Sequence, residues 1–315
     1  MKLMEEILTR PQTLKGRNVL TWLDFSQEEV SQILANTQNL KANPHNSMLN
    51  GKTLGMIFEK SSTRTRVSFE VGMTQMGGHA VFLNPRDIQV GRGETIVDTA
   101  KVLSRYVDAL MYRTTSNKKL TELAEHATVP VINGLCDKYH PCQALADIFT
   151  ILELKGSLAG VKVVYLGDGN NVAHSLMILS AMMGMEVVVS APKGFEPDPE
   201  IVKKAEEAAK KNKGSVKIEN DPVAAVQDAD IVYTDVWASM GQEEEAEERH
   251  KALNGYQVND ELLKHAKEDV HFMHCLPAHR GEEVTASVID GPKSVVFDQA
   301  ENRLHVQKAI LLSVI

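Results

Sequence analysis

One pattern restricts this chain more than any other: short apolar runs alternate with longer amphipathic runs through nearly its whole length. Short strands that alternate with helical segments form parallel sheets covered by helices. In the first half, strands are expected at 53–58, 79–83, 109–112 and 129–133, with helical patterns at 28–41, 62–76, 96–106 and 120–126. A longer helix is expected over 141–154. Pro141 suits a first helical position, and Ala144, Leu145, Ile148, Phe149 and Leu152 form an apolar stripe. Lys155-Gly156-Ser157 breaks that pattern and marks a boundary near residue 150. Beyond it the logic repeats, with strands expected at 161–166, 186–190, 231–234, 271–274 and 294–297 and a terminal helix at 299–313. The expectation is an α/β protein of two domains, each a mostly parallel sheet flanked by helices, with the active site in the cleft between them. The domains would span 1–150 and 151–298, and the terminal segment, about 299–315, would pack back on the first. A length of 315 residues agrees with two domains.

Charge and cysteine usage remove several function classes. The formal net charge is -8 and no basic block occurs, which argues against nucleic acid as the main ligand. A small phosphate ligand needs only a few well-placed cations and stays open. Cys136, Cys142 and Cys275 are odd in number and irregular in spacing, so they suit neither a disulfide framework nor a zinc site. A reducing cytoplasm follows. Residues 1–10 show no signal-peptide core, and no stretch approaches the ~20 apolar residues of a membrane span. The acidic run 242–248 reads as a solvated, mobile loop.

Five clusters carry chemistry. Ser61-Ser62-Thr63-Arg64-Thr65-Arg66 follows an apolar strand and opens a helix. Ligands of open parallel sheets bind at the carboxyl ends of strands, and a helix N-terminus there offers free N–H groups to a phosphate. Hydroxyls and guanidiniums in the same turn add donors. The alternative is a Ser/Thr cap with two surface arginines. His140-Pro141-Cys142-Gln143 opens the long helix, where His140 has the chemistry to donate to a carbonyl oxygen and Gln143 to accept from an amide; helix capping is the competing use. Gly167-Asp168-Gly169-Asn170-Asn171-Val172 resembles a dinucleotide turn, but Val172 stands at the third glycine position and the next strand ends without an acidic residue for a ribose. Asn171 is therefore a candidate polar ligand contact, or a helix cap. Thr234-Asp235-Val236-Trp237-Ala238-Ser239-Met240-Gly241 places Asp235 at a strand end, where it suits an ammonium group or a turn, and carries Ser239 into a long lid-like loop. His274-Cys275-Leu276-Pro277-Ala278-His279-Arg280-Gly281 again follows a strand. Arg113 and Arg303 are two further cations at or near strand ends.

At these residues the chain resembles the aspartate/ornithine carbamoyltransferase family over essentially its whole length. Ser62-Thr63-Arg64-Thr65-Arg66 and His140-Pro141-Cys142-Gln143 resemble its two carbamoyl-phosphate motifs. Asp235 with Ser239-Met240-Gly241, and His274-Cys275-Leu276-Pro277, are similar to its ornithine branch. The resemblance implies roles residue by residue. Ser62, Thr63, Arg64 and Thr65 would hold the phosphate with Arg113. Thr65, Arg113 and His140 would polarise the carbamoyl oxygen. Pro141 and Cys142 belong to the same motif, and Gln143, the Leu276 backbone and Arg303 would surround the carbamoyl amide. Asn171, Asp235, Ser239 and Met240 would hold ornithine, and Cys275 would lie beside the reacting amine. Gln89, in Asp87-Ile88-Gln89-Val90-Gly91, resembles a residue that reaches a neighbouring subunit's site in a homotrimer. No metal or cofactor is implied. The same chemistry on putrescine or an acylated ornithine is the nearest rival. A dinucleotide-dependent dehydrogenase or ligand-binding module is the alternative of another class.

Overall fold

The computed structural model of the protein describes residues 14–238 and 245–315. Contacts divide the chain into two units. The first runs through Phe149 and takes back Glu301–Ile315; the second is Thr150–Ala300.

In the first unit β1 (Thr53–Phe58), β2 (His79–Leu83), β3 (Ala109–Arg113) and β4 (Val131–Leu135) form one sheet in the order β2-β1-β3-β4. Every pairing is parallel. Parallel neighbours need crossover connections, and these contain α2 (Thr63–Gln75), α3 (Ile96–Leu103) and α4 (Asn117–His126), with α1 (Gln27–Ala42) ahead of β1 and α5 (Pro141–Lys155) after β4. Hydroxyl caps fix the helix starts. Ser26, Ser62, Thr95 and Ser116 each accept a hydrogen bond from the third residue of the helix that follows, and the Ser26 N–H donates in return to the Glu29 carboxylate. The start of α5 is held instead by Trp22, whose indole N–H donates to the Pro141 carbonyl at 2.9 Å.

In the second unit β5 (Lys162–Leu166), β6 (Glu186–Ser190), β7 (Ser215–Glu219), β8 (Ile231–Thr234) and β9 (His271–His274) pair in the order β7-β6-β5-β8-β9, again all parallel. Its helices are α6 (Asn171–Met182), α7 (Pro199–Asn212), α8 (Pro222–Val226), α9 (Ala246–Leu253), α10 (Asp260–Leu263) and α11 (Ala286–Ile289). The last helix, α12 (Val296–Val314), begins in this unit and runs into the first. There the ammonium of Lys308 donates to the carbonyls of Leu40 and Pro44 and to Gln75 Oε1, which pins α12 to the ends of α1 and α2.

The expected α/β class and the parallel sheets hold; four local details differ. Residues 294–297 are no strand: Ser294 makes one bridge to Phe272 and Val296 already opens α12. β7 is a strand that the apolar pattern did not announce. It lies at the sheet edge, where Val216 and Ile218 alternate with Ser215, Lys217 and Glu219, and charges on an edge deter further pairing. β4 starts after Pro130 rather than at residue 129, since proline has no N–H to give the ladder. Of the acidic run, residues from Ala246 onward begin α9, while 242–244 lie outside the described residues.

Both sheets reverse their strand order once, between β1 and β3 and between β5 and β8. At such a reversal the two following connections leave on opposite sides and open a crevice at the carboxyl ends of the strands. Ser62–Thr65 and Arg113 stand at the first reversal, and Gly167–Asn171 and Asp235 at the second.

Candidate active site

In the first unit, the turn after β1 carries polar groups at the open N-terminus of α2. Ser62 Oγ accepts from the Thr65 N–H at 3.2 Å, so this oxygen caps the helix while its own O–H remains a donor. Thr63 is exposed and Arg64 half-buried. Thr65 is buried and begins a hydrogen-bonded chain that joins three helices. Arg303 Nη2 on α12 donates to Thr65 Oγ1 at 3.1 Å, and its Nη1 donates to Gln143 Oε1 at 2.7 Å. Gln143 Nε2 in turn donates to Asp147 Oδ1 at 2.8 Å on α5.

Arg113 ends β3 at a bulge: the β3–β4 register slips between Tyr112 and Arg113, which then pairs with Leu135. Gly134 leaves room for this, since a side chain there would meet Met111 Sδ at 2.5 Å and Arg113 Cβ at 3.4 Å. A bulge at a strand end re-aims the residue it carries. His140 is 5 % exposed and is held well below the usual histidine range. Burial is the largest cause, followed by the positive charges of Arg303, Arg113 and Arg64. The imidazole is therefore neutral at pH 7 and keeps one N–H to donate. Three guanidiniums and a helix N-terminus around a neutral donor make a receptor for an anion that also carries a carbonyl-type oxygen. Cys142 stands apart from this. It is fully buried, its thiol donates to the Asn133 carbonyl at 3.5 Å, and burial pushes that thiol up to about 11. Gln89 is exposed on a short 3-10 turn, Gln89–Arg92.

In the second unit, the glycine turn after β5 serves its own backbone. Gly167 takes φ +127°, and a Cβ on Gly169 would lie 2.2 Å from the Pro197 nitrogen. The close approach that a dinucleotide turn reserves for a pyrophosphate is occupied here by the segment Glu196–Pro197. Asn170 is the cap of α6, with Oδ1 accepting from the amides of Val172 at 2.9 Å and Ala173 at 3.1 Å. Asn171 is the first helical residue, half-exposed. The Asn170 amide donates to Asp235 Oδ2 at 3.0 Å. Asp235 Oδ1 accepts from its neighbour Val236 N–H at 2.9 Å and from the Cys275 thiol at 3.0 Å. The ends of β5, β8 and β9 thus meet on one buried carboxylate. Behind Cys275, His274 Nδ1 accepts from the Leu276 N–H at 2.8 Å, which leaves the ring proton on Nε2 to be donated to Glu283 Oε1 at 3.1 Å. Leu276 takes φ +57°, a left-handed backbone that costs a leucine about 1–2 kcal/mol, and its bond to His274 helps to hold it. Asp168 is raised by burial; its 2.8 Å pair with Arg249 on α9 opposes that shift, and the charges of Asp235 and Glu245 add to it. Ser239 and Met240 lie outside the described residues.

Comparison with known proteins places the chain in a family. The model of the "aspartate/ornithine carbamoyltransferase, carbamoyl-P binding domain" matches residues 17–153, and that of the "Asp/Orn binding domain" matches 159–314. The chain belongs to the aspartate/ornithine carbamoyltransferase family. It is 60% identical over 307 residues to the ornithine carbamoyltransferase of Halalkalibacterium halodurans, covering 96% of either chain. It is 60% identical over 304 residues to a Pyrococcus furiosus protein named "Ornithine carbamoyltransferase, anabolic", covering 95% of this chain and 96% of that one. A solved structure of ornithine carbamoyltransferase from Pyrococcus furiosus superposes with a TM-score of 0.93 over 96% of this chain and 97% of its own.

For this carbamoyltransferase family member, the two matched regions and the two folded units do not divide the chain identically. Arg303 falls in the region of the Asp/Orn-binding model, yet its side chain sits with Thr65 and Gln143 in the first unit. Of the residues singled out in the sequence, Thr65, Arg113, His140, Gln143 and Arg303 come together, with Arg64 near enough for its charge to act on His140. Asp235 and Cys275 come together in the second unit. Three participants escaped sequence reasoning: Asn170, Asp147 and Glu283. Asn170 had a readable signal as the cap residue two positions before Val172, but the neighbouring Asn171 carries the same chemistry.

Proposed function

We propose that the protein transfers the carbamoyl group of carbamoyl phosphate to the side-chain amine of L-ornithine, giving L-citrulline and phosphate, a step of arginine biosynthesis. The observation that carries this reading is neutral His140 under the charges of Arg303, Arg113 and Arg64, beside the open N-terminus of α2. Phosphate is held by Ser62, Thr63, Arg64, Thr65 and Arg113, and the carbamoyl oxygen by Thr65, Arg113 and His140. Ornithine is held by Asn171 and Asp235 together with Ser239 and Met240, and Cys275 stands next to the Asp235 carboxylate.

The side-chain amine of ornithine resembles that of lysine, with a pKa of about 10.4, so its neutral form is scarce at pH 7. Nearby cations and partial desolvation lower that value. The neutral nitrogen attacks the carbamoyl carbon and charge grows on the carbonyl oxygen. Fixed donors to such an oxygen contribute about 3 kcal/mol each. The carbon–oxygen bond to phosphate then breaks, the electron pair leaves with phosphate, and phosphate takes the amine proton. His140 acts here as a neutral donor rather than as a general base.

Assembly and location belong to the same proposal. Exposed Gln89 suits a contact with a neighbouring subunit in a homotrimer. Among the described residues no helix is long and apolar enough to cross a membrane, and Cys136, Cys142 and Cys275 form no disulfide, as suits the cytoplasm. The test is a citrulline-forming assay on a panel of acceptors. Turnover with ornithine, and none with putrescine, aspartate or N-acetylornithine, is expected. Equal turnover with putrescine would overturn the acceptor assignment, because putrescine lacks the α-carboxylate.

A further inference from the structure

We propose that His250, His279, Glu282 and Glu283 form a site for a divalent first-row transition ion of the zinc class, separate from the substrate-binding groups. His250 Nε2, in the last turn of α9, lies 3.3 Å from Glu282 Oε2, and His279 Nδ1 lies 3.4 Å from the same oxygen. One ligand atom each from His279, Glu282 and Glu283 falls within 4.8 Å of the other two. Ligands around one tetrahedral zinc at about 2.0–2.2 Å are themselves roughly 3.3 Å apart. The spacings of both histidines to Glu282 already have that value; His250 stands outside the group within 4.8 Å, and the half-exposed His250 and Glu282 and the exposed His279 side chains have room to close the rest.

Glu283 supplies the second, independent observation. Its side chain is fully buried and its Oε1 is engaged by His274 Nε2 at 3.1 Å and the His279 N–H at 2.6 Å. Its Oε2 is buried and accepts no hydrogen bond. Buried carboxylate oxygens in native proteins are normally satisfied, and one that is not calls for an unrecorded partner. A cation held between Glu282 and Glu283 meets that need once the side chains close on it, and two carboxylates match its double charge. Imidazole and carboxylate ligands without sulfur favour a zinc-class ion over a soft one. The site differs from the cluster of Asp235, His274 and Cys275, which contains a thiol and belongs to the proposed ornithine groups. An ion at the new site fastens α9, which follows residues 239–244, to the loop after β9 that carries Cys275.

The test uses the full chain after chelator treatment, titrated with Co2+ and followed by visible absorption, and with Zn2+ by calorimetry. The expected result is one ion per chain with cobalt bands of a nitrogen–oxygen site and no thiolate-to-metal band. His279→Ala and His250→Ala should each weaken binding by more than about tenfold, while Cys275→Ser leaves it unchanged. Both histidines are partly exposed, so thermal melts of the variants should match the parent. A thiolate band that disappears with Cys275→Ser, undiminished binding in both histidine variants, or no saturable binding would each overturn the proposal.

Discussion

Arg303→Met is the substitution that most sharply tests the anion site, because it acts on two observables at once. Arg303 donates to Thr65 Oγ1 and Gln143 Oε1 and is the largest single charge acting on His140, second only to burial as a cause of its lowered pKa. Methionine keeps most of the volume and removes the fork. If the guanidinium contacts a doubly charged ligand, losing that charge-assisted contact costs roughly 2–4 kcal/mol. At 1.4 kcal/mol per decade this is about a 30- to 700-fold rise in the Kd of carbamoyl phosphate. His140 meanwhile keeps its burial but loses its strongest repulsion, so its pKa rises toward the ordinary value near 6.5. Calorimetry with carbamoyl phosphate reads the first effect, and NMR titration of labelled histidine the second. Arg303→Lys is the control: it retains the charge and loses the paired geometry, so it should restore most of the His140 shift but little of the affinity. A folded Met variant with parental affinity, or with an unmoved His140 titration, would refute the reasoning.

The same histidine links stability to pH. Its native value lies below that of the unfolded chain, so as pH falls below about 6.5 the unfolded chain takes up a proton that the native state refuses. His140 therefore lowers stability progressively on that side, and it contributes no such loss above pH 6.5. In Arg303→Met the penalty begins at the same pH but ends sooner, so denaturant melts between pH 6.5 and 5 should show a shallower decline than in the parent.

Further expectations follow from single contacts. Arg64→Ala should raise the KM for carbamoyl phosphate at least about tenfold with thermal stability little changed, since the side chain is half-exposed; normal turnover at low carbamoyl phosphate would remove Arg64 from the site. Asp235→Ala strips the acceptor from Asn170, Val236 and Cys275, so it should cost about 2–3 kcal/mol in urea unfolding as well as ornithine use, with carbamoyl phosphate affinity intact. Alkylation at neutral pH followed by mass spectrometry should label Cys275 first, because Cys136 and Cys142 are buried and both thiols are raised by burial, Cys142 to about 11. Gly169→Ala drives a methyl group into the Glu196–Pro197 backbone, which no side-chain rotation relieves, and should destabilise the fold by about 3 kcal/mol or more.

Most strands legible in the sequence share one physical cause, burial; β2, half-exposed at the sheet edge, is legible through its short apolar run alone. β1, β2, β6, β8 and β9 occupy the positions that the sequence predicts, residue for residue. β1, β8 and most of β6 are buried, and such strands of a parallel sheet appear as unbroken apolar runs. β7 has no fully buried residue, so its signal fell to two alternating apolar residues among charges. The Val295-Val296 pair is apolar for a different reason, as the buried face of a helix start, and a run of that length does not distinguish the two. The link between Arg303 and Thr65 joins residues 238 apart, and no local pattern encodes such a pairing.

The candidate sites were legible as clusters but not as individual side chains, and the reason lies in helix ends. A residue that caps a helix and one that binds a ligand at the same helix end have the same chemistry, a short side chain with an oxygen near free N–H groups. Sequence therefore finds the end and leaves the role open. Geometry divides the roles by asking which oxygen is already used. Ser62 Oγ accepts from Thr65, so Ser62 has only its O–H left for an anion, whereas Arg64 and the remaining N–H groups of the turn are the stronger donors. Asn170 Oδ1 accepts two amides and its NH2 group serves Asp235, which assigns the capping role to Asn170 and frees Asn171 from it. Cys142, one residue into α5, points away from the helix end and into the core. In each motif one residue builds the helix end, and the proposed function assigns the substrate to its neighbour. A conservative swap at the builder should therefore move the melting curve, while one at its neighbour should move KM.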